Sequence, residues 1–222
     1  MPLEARLGCL LPEAEPDVSF IPLMQRRRLS PMARAAVAAA WPCMGGQRPL
    51  PLICCSLHGE TYHCFAILTD ISKGEEVSPS RFALSVHGAV GGLLSQFSAN
   101  HSPCVALAPG GEGYPAALLE AAGFLSRDSG SFNEVLVIWY EQPLPELYRG
   151  YDHDPPSVMG LAVRLSSWQG DGGCLTVSRA SGGAHAVDGD PLLKMIEGFG
   201  NSTSRWTLPA LSSGWFWEVE DA

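Results

Sequence analysis

The sequence predicts an α/β fold in which strands and helices alternate around a mostly parallel sheet with crossover helices. Three observations predict it. "PLICCSL", residues 51–57, is a continuous apolar run of strand length that leads directly into a helical stretch from about Thr61 to Lys73. "CVALA", residues 104–108, repeats that order, passing through a glycine-rich turn into "YPAALLEAAGFL". "SPMARAAVAAAW" begins with a serine able to cap, has proline at the first helical position, and ends before Pro42.

The elements follow in order. The alanine-rich helix comes first, then the 51–57 strand and the helix from Thr61. "SVHGAVGGLLSQF", residues 85–97, reads as a helix of small residues; its glycines each cost roughly 1 kcal/mol relative to alanine, so it is expected to pack closely against something. After strand 104–108, the glycine turn and the next helix come strand "EVLVIWYEQ", a loop rich in Pro, Asp and Gly, and strand "VMGLAVRLS". From Ser167 the pattern weakens to a loop ("SSWQGDGG"), a strand ("CLTVSRA"), a short helix ("DPLLKMIEGFG") and an aromatic strand ("GWFWEVE"). There is no internal repeat, and about 55 residues cannot hold a second unit as large as the first.

Composition bounds the partners. At 222 residues, 46% hydrophobic and 17% charged, the chain can bury a substantial core as one domain, with or without an appendage. A net charge of -9 argues against general attraction to nucleic acid or anionic membranes. No apolar run approaches the roughly 20 residues of a membrane-spanning helix, and the N-terminus fits no secretory signal, so a cytoplasmic protein is expected. Seven cysteines is an odd number, and Cys43, Cys54, Cys55 and Cys104 stand in apolar surroundings, which predicts reduced, buried thiols.

Strand, tight turn and helix in that order often present a nucleophile, yet the turn reads Ala108-Pro109-Gly110-Gly111-Glu112-Gly113 and contains none. Glu112 could act as a base, although a carboxylate without a partner is more often structural. The glycines lack the lysine and hydroxyl of a phosphate loop. Cys54, Cys55, His58, His63 and Cys64 crowd eleven residues with zinc-binding types, but adjacent strand cysteines point to opposite faces, so no metal and no cofactor is expected. Asp152 and Asp154 flank His153 in a proline-bounded loop and read as solvated. A hydrolase using Cys104 with His87 or His101 would need a cysteine in the turn, whereas Cys104 starts the strand. Arg26, Arg27 and Arg28 precede the first helix, and two readings stand: contact with a phosphate or an acidic carrier protein, or ion pairing within the domain or with a partner.

The block "VHGAVGGLLSQFSANHSPCVALAPGGEGY" resembles the small-residue helix, Gly-Pro, strand and nucleophile elbow of β-ketoacyl synthases. Val86, Gly91 and Leu93 match that helix, Ser102-Pro103 the Gly-Pro, and Cys104 to Ala108 the strand. "PLMQRRRLSPMARAAVAAA", "SLHGE", "SPSRFALSVHGAVGGL" and "LLEAAGFL" further resemble the short members of aryl polyene type II systems that look like chain-length factors.

The resemblance implies a thiolase-like half repeat: a mixed, mostly parallel five-stranded sheet with helices on both faces over residues 1–166, and a small C-terminal extension, 167–222, packed on the same domain. It places the missing nucleophile at Gly111, so Gly110, Gly111 and Glu112 form a vacated elbow, and it leaves no room for the second half that supplies the catalytic histidines. It implies an inactive subunit that pairs with a full-length β-ketoacyl-ACP synthase, meeting acyl carrier protein only indirectly. Cys104, Val105, Ala106, Leu107 and Ala108 would pair across the dimer. Arg81 or Phe82 would close the partner's acyl tunnel, Phe82 being the better candidate because a charge there needs a partner; that Phe82 is ordinary core stands beside this. A free-standing acyl-binding module is the competing expectation, with the cysteine hydrolase behind it.

Overall fold

The computed structural model describes residues 3–10, 14–45, 50–110, 113–126, 132–150, 153–167, 175–181, 189–200, 205–209 and 215–221. Among these, eight strands form one sheet: β1 (Leu3–Leu10), β2 (Leu52–Cys55), β3 (Cys104–Leu107), β4 (Glu134–Glu141), β5 (Met159–Ser167), β6 (Leu175–Ser181), β7 (Arg205–Pro209) and β8 (Trp215–Asp221). Their order across the sheet is β3-β2-β4-β5-β1-β6-β8-β7. The three strands that alternate with helices, β3, β2 and β4, are parallel, as that alternation requires. From β4 outward the pairs are antiparallel.

The α/β class holds, but the sheet among the described residues has eight strands rather than five, with two parallel and five antiparallel pairs. β1 escapes sequence reading because its residues carry no long apolar run; it forms by pairing along its whole length with β5, from Leu3 opposite Ser167 to Leu10 opposite Gly160. β6, β8 and β7 then extend the same sheet beyond β1.

The helices are α1 (Leu23–Arg26), α2 (Pro31–Ala40), α3 (Thr61–Ser72), α4 (Pro79–Ser85), α5 (Ala89–Ser98), α6 (Ala116–Leu125) and α7 (Pro191–Gly200). Ser30 caps α2 as its sequence predicts, its Oγ accepting from Ala33 N at 2.9 Å. Strand alternation divides the core into two faces. Leu52, Cys54, Leu136, Ile138 and Tyr140 pack beneath α2 and α5. Ile53, Cys55, Val135, Val137 and Trp139 pack beneath α6 and α7, where α7 contributes Leu192, Met195 and Ile196. Helices cover both faces, and adjacent Cys54 and Cys55 do point opposite ways.

The helix expected over 85–97 starts four residues later, at Ala89, and Ser85 is instead the last residue of α4. Val86 is extended, with ψ 149°, and Gly88 sits at the start of α5. The break turns His87 inward: its Nε2 lies 3.2 Å from Leu107 O, and a Cβ on Gly59, which holds φ +57°, would come within 2.6 Å of its Nδ1. The close packing expected of the small-residue helix is present at Gly91, where a Cβ would lie 2.4 Å from Cys104 Sγ and 3.1 Å from Cys54 Sγ. No helix among the described residues is long and apolar enough to cross a membrane.

Candidate functional site

β3 leads through the glycine turn into α6, and the eight residues between them, Ala108 to Pro115, contain no cysteine, serine or threonine. The ends of the turn are built for a tight reversal. Gly110 and Gly113 hold φ of +53° and +75°, values that favour glycine, and Gly113 N donates to Gly110 O at 3.2 Å. Gly111 and Glu112 lie outside the described residues. Tyr114, which follows, is buried, and its carbonyl accepts from Trp139 Nε1 at 2.9 Å, fixing the start of α6 to the centre of β4.

Sequence reading missed the polar groups buried around this turn. Glu141, the last residue of β4, is fully buried, and its Oε1 accepts from Leu57 N at 2.5 Å. Burial raises its carboxyl to about 7, against stabilising hydrogen bonds. Burial, and then the charge of Glu141, pushes the Tyr114 phenol up as well. Glu60 ends the same β2–α3 connection from the other side: its Oε1 accepts from Ser30 Oγ at 2.8 Å, and burial raises it to about 7. The segment between β2 and α3 is thus clamped by two carboxylates that favour the protonated form. A glutamate closing an apolar strand was the only signal for Glu141, and Glu60 stood only as the last residue of the motif "SLHGE", with no role attached.

The other nominated residues separate clearly. Among the described residues β3 pairs only with β2, which leaves its far edge open there, and Cys104, Ala106 and Ala108 are exposed while Val105 and Leu107 are half-buried. The expectation of a buried Cys104 is therefore corrected, because β3 is an edge strand; Cys43, Cys54 and Cys55 are buried. The hydrogen bond to Cys104 and complete burial hold the Cys54 thiol well up. Cys104 starts β3 and His87 reaches its end, so about 10 Å of strand separates the pair that a hydrolase would need together.

Phe82 lies in α4 with 59% of its surface exposed, which removes the reading of it as core. Arg81, beside it, is committed to Asp70 of α3 through a short ion pair. Of the arginines before α2, Arg27 and Arg28 are exposed, whereas Arg26 is half-buried and its carbonyl accepts from Arg34 Nη2 at 3.1 Å. In the Asp-His-Asp loop, His153 Nε2 meets Asp190 Oδ2 at 2.7 Å, and Asp154 Oδ1 accepts from Leu144 N at 2.7 Å; these are structural ties. Asp152 lies outside the described residues. No group of three or more His, Cys, Asp or Glu among the described residues could hold a metal ion.

This arrangement is shared with solved structures. A chain of the complex of the ketosynthase ApeO with its chain length factor ApeC from Xenorhabdus doucetiae superimposes with a TM-score of 0.84 at 18% identity, covering 99% of each chain. A chain of the type II PKS acyl-carrier protein complex AntDE:AntF, with its ketosynthase bound to the hexaketide, gives 0.60 at 12% identity over 82% of this chain and 69% of that one. The ishigamide ketosynthase/chain length factor gives 0.57 at 12% identity over 77% and 54%. These likenesses fix the fold as thiolase-like. No curated protein sequence matches the chain. Residues 6–218 match the beta-ketoacyl synthase, N-terminal domain, and the chain belongs to that family.

Proposed function

We propose that the chain is a non-catalytic, chain-length-factor-like subunit that pairs with a full-length β-ketoacyl-ACP synthase and shapes its acyl tunnel in type II fatty acid or polyketide biosynthesis of the aryl polyene kind. The observation that carries this reading is a chain of the beta-ketoacyl synthase N-terminal family whose strand-to-helix turn has no cysteine, serine or threonine; the resemblance puts Gly111 at the nucleophile's position. The match over 99% of a chain from a ketosynthase–chain length factor complex supports it, because that chain has the same short length. Residues 1–166 serve as the half domain and 167–222 as an extension on it, consistent with α7 entering the core and β6, β8 and β7 prolonging the sheet.

The open edge of β3, from Cys104 to Leu107 with Ala108 beyond, is the pairing surface: an unpaired strand edge is an aggregation liability unless covered. Arg27 and Arg28 remain available to the partner or its carrier protein. Co-expression with the full-length ketosynthase of the same pathway should give a soluble 1:1 complex, and the chain alone should take up no acyl group from an acyl thioester by intact mass. A stable monomer that ignores the ketosynthase but retains a fatty acyl ligand would instead identify an acyl-binding module.

In that complex Phe82 is the tunnel gate, since Arg81 is occupied by Asp70 while Phe82 has no cover of its own. Filling a dense apolar site costs roughly 1 to 3 kcal/mol, enough to stop an elongating chain. Phe82→Ala should therefore lengthen the products, measured by mass spectrometry on the reconstituted complex. An unchanged length distribution with the complex intact excludes Phe82.

A further inference from the structure

Among the described residues ten large apolar side chains are exposed, and five of them, Tyr62, Leu68, Ile71, Phe82 and Val86, belong to α3, to α4 or to the residue after it. The concentration has a cause in how α3 is oriented. Of its twelve residues α3 buries only Ile67. Leu68 and Ile71, three residues apart on one side of α3, are exposed, while Cys64 at the edge of that side donates its thiol to Ser85 O of α4 at 3.2 Å. The inward side carries polar anchors instead: His63 sits 3.9 Å from Glu60, and Asp70 holds Arg81 of α4. A surface helix of a free-standing domain is arranged the other way, with its apolar stripe against the core. So short a helix gains little from propensity alone and depends on tertiary packing.

We infer that Leu68 and Ile71 on the outward side of α3, together with Phe82 and Val86, form a docking surface for the thiolase-fold ketosynthase, continuous with the β3 edge. This rests on the pairing proposed above and extends it to an element that no strand-pairing argument reaches. Size requires such an extension. A stable interface engages roughly 20–30 residues a side, and β3 supplies four. Continuity supplies the direction: His87 Nε2 meets Leu107 O at 3.2 Å, and a Cβ on Gly88 would lie 3.8 Å from Ala106 Cβ, so the end of the edge strand runs straight into the α4–α5 junction. The occupant is a face without net charge, because Arg81 and Asp70 neutralise each other beside these residues. An acidic or basic partner finds no complement there.

The test uses the whole chain and the full-length ketosynthase. Leu68→Glu and Ile71→Glu each put a charge in that patch and should weaken the complex at least about thirty-fold, the loss expected at a central interface residue. Leu119→Glu alters an equally exposed leucine on α6 and should leave affinity unchanged. Hydrogen–deuterium exchange on the unmutated complex gives an independent reading, with residues 61–72 and 79–86 expected to gain protection alongside 104–107. A wild-type complex that forms while both glutamate variants bind normally, or that protects only 104–107, overturns the docking surface and leaves the pairing intact. Failure of the wild-type chain to bind the ketosynthase overturns both.

Discussion

Gly160→Ala should lower the melting temperature by roughly 6–12 °C, the fall expected of about 3 kcal/mol in a domain of this size. Gly160 lies in β5, opposite Tyr140 on one side and Leu10 on the other, directly beneath α2. A Cβ there would stand 2.6 Å from Ala35 O and 2.9 Å from Ala35 C. Those are backbone atoms of a helix seated on β4 and β5 through Ala35, Ala36 and Ala39, so no rotamer change relieves the clash. Either α2 lifts and its alanines lose their contacts, or β5 bends and two ladders distort. Gly92→Ala is the internal comparison: nothing lies within 4 Å of a Cβ at that helical position, so alanine should be neutral or stabilise by up to about 1 kcal/mol. Thermal unfolding followed by circular dichroism separates the two, and equal melting temperatures would show that α2 is not seated as described.

Stability should fall as pH rises from about 5 to about 8, and Glu60 and Glu141 should carry the fall. Both carboxyls are raised from 4.5 in the unfolded chain to about 7 in the folded one. Below pH 4.5 both states are protonated and nothing is lost. Between about 4.5 and 7 the folded state binds more protons than the unfolded state, so each added pH unit favours unfolding; above 7 the loss is complete. A shift of that size corresponds to up to about 3 kcal/mol for each group. Glutamine keeps an oxygen for Leu57 N at position 141 and for Ser30 Oγ at position 60 without titrating. Urea unfolding at pH 5 and pH 8 should show the difference roughly halved in Glu141→Gln and nearly gone when Glu60→Gln is added. A wild-type pH difference that survives in the double variant would assign the linkage to other groups.

The elements legible in the sequence were those whose signals are local. A continuous apolar run gave β2 and β4, the Ser30-Pro31 cap gave α2, and the strand–glycine–helix succession gave β3 and α6. β1 was overlooked because it has no continuous apolar run: Leu3, Ala5, Leu7 and Cys9 alternate with Glu4, Arg6 and Gly8, a period-two signal in a short segment, and its place in the sheet is set by pairing with β5. The division between α4 and α5 was hidden because its cause is non-local: His87 leaves the helix to pack against Gly59, about thirty residues earlier. At the site, the absence of cysteine, serine and threonine from residues 108–115 was plain from residue identity, but exposure was not. Sequence left Phe82 between core and surface and placed Cys104 inside, and in both cases position at the sheet edge or on an outlying helix decided the matter. The buried carboxylates show the reverse failure, as nothing in the letters around Glu60 announces that water is excluded from it.

The open flank of β3 also sets an account of numbers. A strand edge accepts one neighbour, so two subunits joined there as proposed each consume the edge they offer, and no third can add at that seam. The other end of this chain's sheet is β7, seven places away in the strand order. On the pairing proposed above, a copy made beyond the supply of the ketosynthase keeps an open strand flank, and copies in surplus have only each other to meet. Cellular yield of the subunit should consequently track the dosage of the partner gene more closely than its own.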